Sequence, residues 1–251
     1  MTAEFFTAEF GYYVLAGFAA QMIDGALGMA YGVTATSILI GAGVPPAAAS
    51  ATVHAAECVT TGASALSHHA FGNISRTLFK RLLVPGVIGA AIGAYILSSL
   101  PGDKLKPYIA GYLLFMGLVI VLKAFRPVPS KEVTSHLGPL AFFGAMVDAI
   151  GGGGWGPIVA SNLIARGNSI RETIGSVNAV EFFVTLSSSI VFLLTLGLTN
   201  WQIIVGLALG GLVAAPFGAW ATRKIPHKPA MVLVGLLVMG LSIRTLYRTF
   251  Q

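Results

Sequence analysis

Residues 23–32 read IDGALGMAYG, and residues 147–156 read VDAIGGGGWG. Each stretch has an acidic residue, then six residues rich in Gly and small side chains, then an aromatic residue and a glycine. The flanking sequence is almost wholly apolar. Glycine-rich runs end regular helices, so each stretch predicts a break between two helical pieces. The same interruption occurs twice, 124 residues apart. This repetition is the main evidence for the fold.

The composition is that of a protein embedded in a lipid bilayer. Of the 251 residues only 10% are charged, against about 25% in an ordinary soluble domain, and the mean hydropathy is +0.82. Long apolar runs replace the alternating strands of about ten residues that build outer-membrane barrels. We therefore expect an all-α integral membrane protein. The net charge of +6 comes from Lys and Arg between the apolar runs, which favours the positive-inside rule over a nucleic-acid surface.

The lengths of the apolar runs, and the Pro, Gly and charged residues that separate them, predict ten helical pieces. In the first part of the chain these are 7–24, 29–43, 46–71, 77–99 and 107–125. After a polar connector they are 137–150, 154–166, 169–196, 200–224 and 228–248.

The two series match each other, which indicates an internal duplication. Asp24 corresponds to Asp148 and Tyr31 to Trp155, and SATVHAAE (50–57) corresponds to IGSVNAVE (174–181) at the same offset. We predict a first membrane repeat over 1–125, a cytoplasmic connector over 126–136 and a second membrane repeat over 137–251. Each repeat has a broken, Gly-interrupted helix pair plus three transmembrane helices.

The distribution of charge favours inverted rather than parallel repeats. If each broken pair returns to the side of the membrane from which it entered, each half crosses the membrane an odd number of times. One side of the membrane then carries eleven of the fifteen Lys and Arg residues. These are Arg76, Lys80, Arg81, Lys123, Arg126, Lys131, Arg166, Arg171, Arg223, Lys224 and Lys228. A parallel arrangement divides them eight and seven. The positive-inside rule thus predicts inverted repeats with both termini outside.

The breaks are the predicted substrate site. Backbone that leaves a helix inside a membrane is tolerated where it is buried in protein or lines a wet cavity, and paired broken helices build transporter sites near the midplane. Helix N-termini at the breaks suit an anion. The candidate binding residues here are Gln21, Asp24, Gly25, Gly28, Tyr31, Asp148, Gly152, Gly153 and Trp155. The glycines could alternatively serve close packing, and the two acids could bind an ion or cap the following helices.

Polar stripes follow each break at helical spacing. His54, Glu57, Thr61 and Ser64 share one helix face, and Asn178, Glu181, Thr185 and Ser188 repeat the pattern. A carboxylate inside a membrane helix suggests function by default. Glu57 and Glu181 are candidates for coupling to H⁺ or Na⁺, with His54 and Asn178 as candidate substrate contacts. Structural contacts between helices are the alternative, and His68 and His69 are expected at a membrane interface.

No enzyme motif stands in the chain: HExxH, the Walker loop and GxSxG are all missing. The pair His54 and Glu57 offers too few ligands for a catalytic metal. The single Cys58 cannot form an intramolecular disulfide. We expect no enzyme activity, no cofactor and no metal site.

AAQMIDGALGMAYG near the N-terminus and the weaker copy GAMVDAIGGGGWGP resemble the TauE/SafE sulfite exporter family, also called the toluene sulfonate uptake permease family. The resemblance maps the family motif onto Asp24, Gly25 and Gly28, and more loosely onto Asp148 and Gly152. It implies an inner-membrane transporter of small sulfur-containing or organic anions, such as sulfite or sulfonates, that runs on an ion or proton gradient.

The expected function is therefore secondary-active transport of a small anion, coupled to a proton or another ion by alternating access. A passive anion channel and a non-transporting membrane assembly subunit are the alternatives. Small-residue faces such as GAAIGA (89–94) permit a homodimer but equally permit packing within one chain.

Overall fold

The structure, a computed structural model, describes residues 8–125, 135–222 and 226–251, and every regular element in these ranges is helical. The first half contains α1 (Ala8–Leu27), α2 (Tyr31–Gly41), α3 (Pro46–Ala70), α4 (Arg76–Ser98) and α5 (Gly102–Lys123). The second half contains α6 (Leu137–Gly151), a π-helix (Gly156–Ala160), α7 (Ser161–Ala165), α8 (Ile170–Thr195), α9 (Trp201–Ala221) and α10 (His227–Thr249).

Five helices are long and apolar enough to cross a membrane: α4, the Lys104–Lys123 part of α5, α8, α9 and the Met231–Thr249 part of α10. Large apolar side chains cover the outside of the bundle, and Leu66, Tyr108 and Leu194 are each at least 74% exposed. Such a surface suits lipid rather than water. The predicted all-α integral membrane class is confirmed.

The helix boundaries lie within three residues of prediction except at the start of α5, and one predicted piece differs in its type of helix. Helix α5 begins at Gly102 rather than at 107, because the chain turns into the helix directly after Pro101 and carries Pro107 inside it. The piece predicted over 154–166 begins as a π-helix at Gly156. Pro157 lies in its first turn, where a missing N–H removes no helical hydrogen bond. Residues 126–134 of the predicted connector lie outside the described residues.

Each extensive contact between two helices has an equivalent contact, in which the corresponding helices of the two halves change places. Helix α1 packs along α9, and its counterpart α6 packs along α4. Helix α3 packs on its own counterpart α8, and α5 packs on its counterpart α10. The pairs α4–α8 and α9–α3 complete the pattern. Each half therefore completes its packing with helices of the other half.

The counterparts α3 and α8 run in opposite directions. The Ser64 hydroxyl near the end of α3 donates to the Asn178 side chain near the start of α8, at 2.8 Å. The Cys58 thiol, earlier in α3, lies 3.4 Å from the Ser189 hydroxyl, later in α8. The contact moves backwards along α8 as it moves forwards along α3.

The counterparts α5 and α10 are also antiparallel, since Gly117 packs against Met239 while Val121 packs against Gly235. In contrast, α4 and α6 run in the same direction. Gly89 packs on the backbone of Phe142, and Gly93 packs on that of Met146 one turn later. The small-residue face GAAIGA (89–94) is thus used within the chain, against α6.

Candidate functional site

The two breaks begin with the same backbone turn. Gly28 ends α1 at φ 67° and Gly152 ends α6 at φ 69°, and the two glycines occupy the same position in the repeat. This left-handed conformation is unfavourable for residues with a Cβ, which explains why glycine stands at both positions.

The breaks also contact each other directly at the centre of the protein. A Cβ placed on Gly32 would lie 2.8 Å from the Cα of Gly153, and one on Gly156 would overlap the backbone of Met29. The backbone of one half therefore rests on the backbone of the other, with no side chain between them. Glycine at these positions serves close approach, and the approach joins the two broken pieces.

Each acid of the repeated stretch interacts with the first backbone N–H after its break. The Trp155 N–H donates to Asp148 Oδ1 at 2.8 Å, and the Tyr31 N–H interacts in the same way with the Asp24 carboxyl. Both acids thus cap the helical piece that follows, because a carboxylate satisfies an orphan N–H at a helix start. The structure shows this capping contact for Asp24 and Asp148.

His54 links α3 to the second break. Its Nε2 lies 3.1 Å from Asp148 Oδ2, and its Nδ1 lies 2.8 Å from the backbone oxygen of Ser50. The Ser50 hydroxyl donates to the carbonyl of Ala149 at 2.8 Å. Both Asp148 oxygens are therefore partnered, one by the Trp155 backbone and one by an imidazole.

Asn178, the counterpart of His54, makes no equivalent contact with the first break. Its Oδ1 accepts from Ser64 and its Nδ2 donates to the Ile174 carbonyl at 3.2 Å. The amide is thus engaged in the α3–α8 contact. Asp24 Oδ2 is buried and has no hydrogen-bond partner among the described residues.

Glu57 and Glu181 lie beside the breaks. Glu57 Oε1 is 3.2 Å from the position of a Cβ on Gly32, and its carboxyl interacts electrostatically with His54, Asp148 and Asp24. Glu181 interacts with the same two aspartates and with Glu57. Four carboxyl groups and one imidazole therefore share a single buried region.

Several polar atoms of this region have no hydrogen-bond partner in the described part of the chain. They include both amide atoms of Gln21, Asp24 Oδ2 and Glu181 Oε2. Buried polar atoms are normally satisfied, and exceptions call for a bound water, ion or ligand.

The region is closed to both sides of the bundle. Trp155 and His54 are 0% exposed, Tyr31 1%, Glu57 2% and Glu181 5%. The glycines Gly25, Gly28, Gly152 and Gly153 are buried as well. The structure therefore has the candidate site in an occluded state. No group of three or more His, Cys, Asp or Glu is arranged to hold a metal ion in the residues it describes.

His68 lies in the last turn of α3 and points into the bundle. It is fully buried, and its Nε2 lies 3.1 Å from the carbonyl oxygen of Gly25. The Thr222 hydroxyl donates to the same carbonyl at 3.0 Å. The end of α1 is thus fixed to α3 and to the residue after α9, because helix-terminal carbonyls need external donors.

Three residues that contact the second break are not among those predicted from sequence. The Thr36 hydroxyl donates to the Gly152 carbonyl, and the Tyr112 hydroxyl donates to the Gly153 carbonyl at 2.9 Å. Lys123 donates to the Pro157 carbonyl at 3.3 Å and to Ser161. These donors satisfy backbone oxygens that the break leaves outside any helix. The repeat places Ala160 opposite Thr36, so the duplication carries no signal for that contact.

The sequence matches known membrane proteins along most of its length. A model of the family described as sulfite exporter TauE/SafE matches residues 13–245. The chain is 43% identical over 244 residues to the probable membrane transporter protein YtnM of Bacillus subtilis (strain 168), covering 93% of this chain and 81% of the relative. It is 25% identical over 245 residues to the probable membrane transporter protein ORF9 of Sinorhizobium sp, covering 94% and 91%. No solved structure gives a significant match.

These matches confirm the resemblance stated from the two repeated stretches, and they make the protein a multi-pass membrane transporter. The chain belongs to the sulfite exporter TauE/SafE family.

Proposed function

We propose that the protein is a secondary-active transporter of small sulfur-containing or organic anions, such as sulfite or a sulfonate, across the bacterial inner membrane. Transport is coupled to H⁺ or Na⁺ and proceeds by alternating access. The observation that carries this proposal is the contact between the two breaks, with four buried carboxyl groups around it. Broken helices that meet in this way are typical of transporter substrate sites.

The proposed topology has two inverted repeats, 1–125 and 137–251, joined by a cytoplasmic connector over 126–136. The antiparallel contacts of α3 with α8 and of α5 with α10 support it, since repeats related by an axis in the membrane plane run in opposite directions. The directions of the helices place Arg76, Lys80, Arg81, Arg166 and Arg171 at one end of the bundle. The charge bias makes that end cytoplasmic and puts both termini outside. Arg126, Lys131, Arg223 and Lys224 lie outside the described residues.

The charges of the site favour joint movement of the anion with a cation. An anion about 4 Å from one carboxylate is repelled by about 4 kcal/mol at an effective dielectric constant near 20. Four carboxyls accompanied by one imidazole exclude an anion unless protons or other cations neutralise them. Binding of the anion therefore requires binding of the coupling ion, which is the thermodynamic basis of symport.

The proposed substrate contacts are the residues at and beside the breaks. They are Gln21, Asp24, Gly25, Gly28, Tyr31, His54, Asp148, Gly152, Gly153, Trp155 and Asn178. Asn178 acts as a positioning residue, because its amide holds α3 against α8. Glu57 and Glu181 are the proposed coupling residues, and the coupling ion acts through one of the two.

Transport requires the occluded state to open towards each side in turn. The two breaks meet at Gly32 with Gly153 and at Met29 with Gly156, and the Thr36 hydroxyl bonds the Gly152 carbonyl. Opening of the site separates these contacts. The inverted halves supply two equivalent ways of opening, one towards each side.

Uptake of sulfite into proteoliposomes tests the proposal. We expect accumulation against the sulfite gradient when a proton or sodium gradient is imposed, and loss of that dependence in Glu57→Gln or Glu181→Gln. Glu172→Gln is the matched control, since Glu172 lies exposed at the start of α8. Flux without accumulation would indicate a channel. Unchanged ion dependence in both variants would exclude these acids from coupling.

A thermal-shift screen of sulfite, sulfate, sulfonates and carboxylates on the purified protein tests the substrate class separately. A bound anion stabilises the folded state by mass action. We expect hits among the sulfur-containing anions, with smaller shifts at a pH where the acids are ionised. A screen in which none of the anions shifts the transition would favour the non-transporting assembly subunit.

A further inference from the structure

The two halves of the site are equivalent in sequence position but differ in how their acids are neutralised. Glu57 and Asp148 form what we call the first acid pair, and Glu181 and Asp24 form the second acid pair. Exchange of the halves converts one pair into the other. We propose that the coupling cation binds at the second acid pair alone, together with Gln21, while His54 supplies the positive charge of the first pair. This inference rests on the proposed transport function.

The first acid pair contains its own base. His54 contacts Asp148 Oδ2 at 3.1 Å, and its charge also acts on the Glu57 carboxyl. Neither oxygen of Asp148 is left without a partner. Both ring nitrogens of His54 face acceptors, the Ser50 carbonyl and Asp148 Oδ2. A protonated imidazole satisfies both and supplies this pair with a positive charge, so the pair needs no exchangeable cation.

The second acid pair has no such base. At the position of His54 stands Asn178, whose amide is turned to Ser64 and to the Ile174 carbonyl. Asp24 is the side chain with the strongest electrostatic effect on Glu181, and neither acid is paired with Lys, Arg or His in the described residues. The other ionisable groups that act on the pair are Glu57 of α3, Asp148 of α6 and the Tyr31 phenol of α2, none of them a base.

Polar atoms of both acids of the second pair, and of Gln21, have no hydrogen-bond partner among the described residues. Asp24 Oδ2 and Glu181 Oε2 are buried and unpartnered, and so are both amide atoms of Gln21, which is 0% exposed. Gln21 lies one turn before Asp24 and therefore on the same face of α1. Its counterpart in the second half is Ala145. The side that lacks the imidazole is thus the side that carries an additional oxygen donor.

Two carboxyl oxygens and an amide oxygen are hard ligands, which suit a small monovalent cation. A proton shared by the two carboxyls, with the Gln21 N–H donating to one of them, neutralises this charge. A sodium ion held by the two carboxyl oxygens and Gln21 Oε1 does the same. The shared chemistry is neutralisation of one negative charge between Asp24 and Glu181. The asymmetry gives the cation one binding position per protein.

Thermal unfolding of the purified full-length protein tests the inference without any substrate. One series compares sodium chloride with equimolar choline chloride, and a second lowers the pH from about 8 to about 6 in choline chloride. We expect one series to raise the Tm by about 3 °C or more. The sodium series identifies Na⁺ and the pH series identifies H⁺.

Variants then locate the response. Asp24→Asn and Glu181→Gln should remove it, whereas the repeat-equivalent Asp148→Asn should retain it. Gln21→Ala removes no charge, so it should preserve the fold and raise the cation concentration for half-maximal stabilisation about tenfold. Asn178→His should make stability independent of the cation, because it introduces the imidazole of the first pair.

The result that overturns the inference is a response that survives Asp24→Asn and disappears in Asp148→Asn, or a protein that neither series stabilises. Failure of the transport proposal looks different, since it would show as absent anion flux while the cation response of these variants remained. A cation response with the expected variant pattern therefore supports the site whatever the anion proves to be.

Discussion

The imidazole of His54 contacts the carboxylate of Asp148 at 3.1 Å and joins a helix of the first half to the break of the second. Both side chains are nearly inaccessible, at 0% and 5%. Removal of one member of a buried pair leaves the other without compensation, which typically costs about 3–5 kcal/mol. The contact is thus a strong candidate for fixing the two halves in the occluded state.

We predict that His54→Asn and Asp148→Asn each lower stability by about 3 kcal/mol. The double variant should lose clearly less than the sum, because neither residue is then left as an unpaired charge. Thermal or denaturant unfolding in detergent, analysed as a double-mutant cycle, measures the coupling. Additive losses would show that the contact contributes little beyond the packing of each side chain.

The close approach of the breaks gives a second prediction. Gly153→Ala places a methyl group against the backbone of Gly32 and Val33, at a φ of 149° that residues with a Cβ rarely adopt. Overpacking and backbone strain together should cost about 3 kcal/mol or more. We expect lower Tm and loss of anion flux.

Gly111→Ala is the matched control for that substitution. It lies in α5, and a Cβ there meets no atom within 4 Å. Alanine is favoured over glycine inside a helix by about 1 kcal/mol, so this variant should be as stable as the parent or more so. If both variants behaved alike, the loss at Gly153 would not be due to the contact between the breaks.

The sequence was sufficient to predict the helices and the breaks, because both depend on local features. Apolar runs and punctuation located all five described spans, and the repeated acid and glycines located the two breaks. Repetition was the decisive information. A single Gly-rich stretch is compatible with ordinary packing, whereas Gly28 and Gly152 share one conformation at one repeat position.

The contacts across the two halves were not predictable in the same way. The roles of His54 and Asn178 depend on which partner each side chain reaches, and the two residues differ although their positions correspond. Tyr112 and Thr36 have no counterpart of the same type in the other half. Their contacts arise from the tertiary packing of α5 and α2 against α6, which no local pattern records.

Tyr112 provides a third prediction, directed at a contact that the sequence did not indicate. Its hydroxyl donates to the Gly153 carbonyl at 2.9 Å. Tyr112→Phe keeps the ring and removes the donor, which should cost about 1–2 kcal/mol because a buried carbonyl is left unsatisfied. We expect a lower Tm and slower anion flux, since the break is held less firmly.

Tyr108→Phe makes the same chemical change one turn earlier on α5, where the side chain is 75% exposed. It should alter stability by less than about 0.5 kcal/mol. A loss at Tyr108 equal to that at Tyr112 would attribute the effect to helix α5 in general rather than to the hydrogen bond with the break.

The orientation of the repeats gives the fourth prediction, and Cys58 makes it accessible because it is the only cysteine. In a Cys58→Ser background, Ser99→Cys and His69→Cys each place a single thiol at an exposed position. Residue 99 directly follows the end of α4, and residue 69 lies at the end of α3, just before α4 begins. The inverted arrangement with outside termini puts residue 99 outside and residue 69 in the cytoplasm. A membrane-impermeant maleimide applied to intact spheroplasts should therefore label Ser99→Cys at once, and label His69→Cys only after permeabilisation. The reverse pattern would invert the proposed orientation, and labelling of both from outside would contradict the crossing of α4 between them.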